Sequence, residues 1–116
     1  MAKNQRMPKA LHISVPAPYD VVSGAPVRVG NICGVAQIDA KSGADVTVWL
    51  DGSHDVNVTG ALATVGLPVY ITAAGALNTT ATGNYLWGIA LGTKAAAAGP
   101  VEVAPIGYTT QTAVGA

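Results

Sequence analysis

The densest group of side chains able to do chemistry is Asp51-Gly-Ser-His54-Asp55, where an imidazole, two carboxylates and a hydroxyl fall within five positions. Residues of these types bind divalent metals or exchange protons. Their spacing argues against either use. Asp-Gly is a strong hairpin signal, and turns favour Asp, Ser and Gly for backbone reasons alone. Neighbours in one turn seldom converge on a single ion, and no second His or carboxylate cluster completes a site. His12, the other histidine, stands at an outward-facing strand position and reads as a solvated or interface side chain. Cys33, the only cysteine, lies in an apolar run with no basic neighbour to lower its pKa, which fits an inert buried thiol. Nucleophile-elbow and phosphate-loop patterns are absent. No catalytic, cofactor-binding or metal residue is therefore assigned, and the chain is read as a non-enzyme.

The elements that would position such residues are short strands. Residues 24–52 hold three of them, separated by turns, and residues 66–107 repeat the plan more loosely. Gly24, Pro26, Val27 and Val29 answer to Gly66, Pro68, Val69 and Ile71. Gly34-Val35-Ala36 answers to Gly88-Ile89-Ala90, and Val46 and Val48 to Val101 and Val103. The second copy carries an insert around residues 73–85. Before the first copy, Leu11, Ile13 and Val15 alternate with His12 and Ser14, the period of a half-buried strand. Gly34, inside an apolar strand, marks a bulge or a close backbone approach. Residues 59–65 fit either one helical turn or a loop. Residues 93–99, with four consecutive alanines, are the only stretch with helix-forming composition, and they are shorter than the ~12 residues an isolated helix needs. The expected fold is all-β: a small compact barrel or sandwich built from two related β units, with at most one short helix near 93–99. Residues 1–10 form an N-terminal arm, 11–106 the β domain and 107–116 a C-terminal tail.

Charge narrows the partners. Only 10% of the residues are charged, against about 25% in typical globular chains, and six basic side chains cancel six acidic ones. A chain without clustered Lys and Arg has no electrostatic footprint for nucleic acid. No run approaches the ~18 apolar residues of a membrane span, and the N-terminus lacks the apolar core of a signal peptide. A near-neutral surface favours association, so the composition suits a protein that sits in an assembly. Half of the basic side chains, Lys3, Arg6 and Lys9, fall in the arm. Trp49 is out of phase with Val46, Val48 and Leu50, which makes it either an interface anchor or part of a second core layer. Trp87, beside Gly88 in a core strand, reads as structural.

The segments VVSGAPVRVGNICGVAQIDAKSGADVTVWLDG, GLPVYI and GALNTTATGNYLWGIALGTKAAAAGPVEV resemble the small capsid cement, or decoration, proteins of tailed bacteriophages. The resemblance covers roughly residues 1–106. It implies a β-tulip-like fold and a structural virion protein, made in the host cytoplasm and bound to the outer surface of the expanded head. The implied partners are the major capsid protein and further copies of the chain, as homotrimers at three-fold and quasi-three-fold sites. It also implies that the arm binds the capsid, through Ala2, Lys3, Asn4, Gln5, Arg6, Met7, Pro8, Lys9 and Ala10. Trp49 and Tyr108 are the further interface residues. The alternative reading is a carbohydrate- or cell-surface-binding β module of a phage virion, which would gather exposed aromatics and carboxylates in one groove.

Overall fold

Val46 and Val48 alternate with Asp45, Thr47 and Trp49, and this period of two turns one face of the segment inward and the other outward. The same rule sets most of the ten strands in the computed structural model, which describes residues 10–108. They are β1 (His12–Pro16), β2 (Pro26–Val29), β3 (Ile32–Ala36), β4 (Asp45–Trp49), β5 (His54–Thr59), β6 (Pro68–Ile71), β7 (Leu77–Asn78), β8 (Tyr85–Ala90), β9 (Gly99–Pro105) and β10 (Gly107–Tyr108). The described residues contain no helix, and the fold is all-β.

The strands form two units. In the first, β1 pairs with β4 and β4 with β3; β2 lies along the other edge of β3. In the second, β5, β9, β8 and β6 repeat that order, and β7 bridges β6 and β5 to close a barrel. The duplication seen in the sequence holds at the level of register up to one irregularity, a shift between Val69 and Tyr70 that sets Ile71 opposite Tyr85 where Val29 lies opposite Ile32. Val27 faces Gly34 as Val69 faces Gly88, and Ala36 faces Val48 as Ala90 faces Val103. Even the loop bonds repeat. Gly24 and Gly66, both at positive φ, donate to Ala36 and Ala90 respectively, each at 2.8 Å. The copy extends further than the anchors suggested: Val15 opposite Val46 matches Val56 opposite Val101, so β1 and β5 are also equivalent.

One side of β3 serves each unit. Cys33 and Val35 enter the barrel core with Val58, Val69, Ile71 and Trp87, whereas Ala36 joins the first unit's core with Val27, Val46 and Val48. The fully buried Trp87 completes the junction by donating its indole N–H to the Val27 carbonyl at 3.2 Å. The Arg28 guanidinium lies 3.7 Å from the centre of the Tyr85 ring. Gly34 is a close approach, since a Cβ there would lie 2.5 Å from the Trp49 carbonyl oxygen.

Closure differs between the units. The outer edge of β6 at Tyr70 and Ile71 is covered by β7. The equivalent edge of β2 meets a side chain instead: the Tyr19 hydroxyl donates to the Pro26 carbonyl at 3.0 Å and takes a hydrogen bond from the Arg28 backbone. Burial pushes the Tyr19 phenol above its ordinary value, partly offset by that Arg28 bond.

Two expectations need correction, at Asp51-Gly52 and at Gly107–Tyr108. Residues 93–99 stay within the expected bound of at most one short helix and form none; the Lys94 ammonium binds the carbonyls of Gly60, Ala95 and Ala97 at 2.7, 2.6 and 2.6 Å. Those carbonyls point at a cation rather than along a helix axis. Asp51-Gly52 does not close a hairpin: β4 and β5 belong to different sheets, and the turn is the joint between the units. Gly107 and Tyr108 are not tail, since they pair with Cys33 and Ile32 as β10.

Candidate functional site

The residue types first raised for chemistry have structural partners. Cys33 is fully buried, and its thiol donates weakly to the Leu86 carbonyl at 3.7 Å. His54 bonds the Asp51 backbone carbonyl at 3.2 Å, which fits a turn rather than a proton relay. Among the described residues, no three His, Cys, Asp or Glu side chains come close enough to hold a metal ion.

One corner of the first sheet stands out instead. Trp49, opposite His12 in the ladder, points away from Val46 and Val48 and is 39% exposed. The His12 ring stacks on it, with centroids 4.2 Å apart and planes 12° from parallel. His12 Nε2 is 2.8 Å from Asp51 Oδ1, so the carboxylate fixes the imidazole over the indole. Such cross-strand pairs hold both rings in one geometry at little further entropic cost.

Tyr108 joins the same end of the sheet. β10 continues the line of β4 along β3, and the Tyr108 hydroxyl donates to the Ala10 carbonyl. Ala10 leads directly into β1, whose path is fixed by the Leu11 carbonyl accepting from Leu50 N at 2.7 Å. The structure therefore brings Ala10, Trp49 and Tyr108 to one end of one sheet. Ala2, Lys3, Asn4, Gln5, Arg6, Met7, Pro8 and Lys9 lie outside the described residues.

Sequence reasoning placed His12 outward, as a solvated or interface side chain, but did not join it to Trp49 or to Asp51. The available signal was parity, because His12 and Trp49 both sit on the polar phase of strands whose other phase is apolar. Asp51 was hidden by its turn-like neighbours.

The other exposed apolar side chains repeat the duplication. Val22 and Ile38 lie at one loop end of the first unit, and Val65 and Leu91 at the equivalent end of the second.

No curated protein and no solved structure matches the chain. Its sequence matches the family of phage cement proteins over residues 5–105, a span that includes all of β1 to β9. The chain belongs to the phage cement protein family.

Proposed function

We propose that this protein is a capsid decoration protein that binds the exterior of the expanded phage head, as trimers at three-fold and quasi-three-fold sites. There it bridges major capsid subunits and stabilises the shell. The observation that carries this reading is the family match across nearly the whole chain. The geometry supports it: a body closed by two cores, with exposed aromatics at the corner where residues 2–10 join the sheet. The arm extends the protein's grip beyond its own body, and Trp49 and Tyr108 supply contact area where it leaves.

The mechanism is multivalent clamping. A ligand that binds only the expanded lattice stabilises that lattice by mass action. Several weak contacts made by one assembly gain from effective concentration. Short Val, Thr and Ala side chains lose little rotamer freedom in such contacts. The test is co-sedimentation of the purified protein with expanded and with unexpanded heads. The proposal requires binding to expanded heads only, and its loss when residues 2–10 are removed. Equal occupancy on both kinds of head, or none on either, would sink it.

A further inference from the structure

β1 is an open edge. It pairs with β4 on one side, and no described strand lies on the other. The backbone phase says which groups are free. The Leu11 carbonyl accepts from Leu50, and Ala17 N donates to the Ala44 carbonyl, so residues of odd number turn their peptide groups toward β4. His12, Ser14 and Pro16 turn theirs outward. Pro16 fits this phase, having no N–H to waste on the open side. Beneath the edge the core is unfinished. Val15 and Val29 are only half-buried, whereas their counterparts Val56 and Ile71 in the closed barrel are buried.

Charge identifies what fits there. The described residues carry Arg28, Lys41 and Lys94 against Asp20, Asp39, Asp45, Asp51, Asp55 and Glu102, a balance of −3. Residues 1–9 carry Lys3, Arg6 and Lys9 and no acid, a balance of +3. Two carboxylates flank β1 on one face: Asp45, opposite Pro16, and Asp51, bonded to His12. Lys3 and Lys9 are separated by the same six positions as Asp45 and Asp51, and an extended strand puts both on one face. Nine extended residues reach about 30 Å, ample for the roughly 17 Å of β1.

We propose that the free edge of β1 receives residues 1–9 of a second copy of this chain as an added strand. Each arm then completes the sheet of the next copy, with its lysines against Asp45 and Asp51. Main-chain hydrogen bonds to His12, Ser14 and Pro16 supply the affinity, and the charges set partner and register. Such a head-to-tail contact closes into a ring when its rotation permits, which gives a cyclic trimer without a separate interface. The inference deepens the cement reading by naming what the arm holds first, and it rests on that reading for the setting on the head.

Sedimentation velocity on full-length chains tests it. The wild-type chain should associate with rising concentration, up to a trimer. Ser14→Pro removes the outward N–H and is compatible with an edge strand, so it should remain folded by near-ultraviolet circular dichroism while associating roughly tenfold more weakly or not at all. Lys3→Glu, Arg6→Glu and Lys9→Glu together disable the arm and should leave a monomer. Mixed, these two variants combine one intact arm with one intact edge and should form a 1:1 dimer and nothing larger. Asp45→Lys with Asp51→Lys replaces Ser14→Pro should that variant misfold. A wild-type chain that stays monomeric overturns the proposal, as does association that survives every variant. Head binding is read separately: a monomer that still sediments with expanded heads removes this inference and leaves the cement reading standing. A trimer that ignores heads does the reverse.

Discussion

Gly34 and Gly88 stand at the same point of two copies of one unit, each pressed against a carbonyl oxygen of the neighbouring strand. A Cβ at Gly34 would lie 2.5 Å from the Trp49 oxygen, and one at Gly88 would lie 2.6 Å from that of Ala104. Neither residue has positive φ, so the requirement is for space rather than for an unusual backbone conformation. Gly34→Ala and Gly88→Ala should each destabilise the fold by about 1–3 kcal/mol, the usual cost of overpacking. Gly99→Ala, whose Cβ would meet only Lys94 Cε at 3.9 Å, should stay within about 0.5 kcal/mol of wild type. Urea denaturation of the three variants checks both statements.

This pair also shows how far the sequence could be read. The Gly, Pro and Val anchors of the two copies were legible from their order and spacing, and the structure keeps the implied register as far as Val27–Gly34 and Val69–Gly88, beyond which β6 slips by one residue on β8. β1 and β5 escaped because His-Ile-Ser-Val-Pro and Ser-His-Asp-Val-Asn share only the valine that reaches the core. The barrel closure escaped because β7 is two residues long, too short to show a period. Parity left Trp49 open between an interface anchor and a second core layer, and the structure puts it in neither core, 39% exposed. Nothing in local sequence could reveal that Tyr108 bonds Ala10, since that contact spans the whole domain.

Lys94 offers a second prediction. Its ammonium holds three carbonyls that would otherwise lack a cationic partner, and the Gly60 N–H in turn donates to the Ala96 carbonyl at 3.2 Å. Lys94→Met keeps the aliphatic stem and removes the donors. It should cost about 1–3 kcal/mol, with faster amide exchange confined to residues 60–62 and 94–98. Exchange measured by mass spectrometry would reveal whether the effect stays local.

Tyr19 predicts an alkaline limit. Burial holds its phenol above the ordinary value of 10.0, so ionisation is harder in the folded chain than in the unfolded one. The resulting stability is complete below the unfolded value and is lost as pH rises through the folded value. Loss of the proton also removes the donor to Pro26. Denaturation midpoints of wild type should therefore fall above about pH 10 more steeply than those of Tyr19→Phe. Parallel pH profiles would refute the assignment.

The two tryptophans predict a spectroscopic handle. Trp49 is partly exposed and Trp87 is fully buried, so iodide should quench only the former. Trp49→Ala should leave stability within about 1 kcal/mol, because the indole is stacked on the surface rather than buried in either core. On expanded heads the same variant should bind about tenfold or more weakly, as expected when an aromatic interface anchor is removed. Unchanged occupancy at limiting protein concentration would remove Trp49 from the contact surface.

The meeting of Ala10 with Tyr108 has a mechanical consequence. A tether attached ahead of Ala10 pulls β1 along its own axis. The ladder from His12–Trp49 to Pro16–Asp45 is then sheared, and its hydrogen bonds resist together instead of opening one after another. A load applied ahead of Ala10 therefore meets the sheet in the direction in which its ladder bonds share the force.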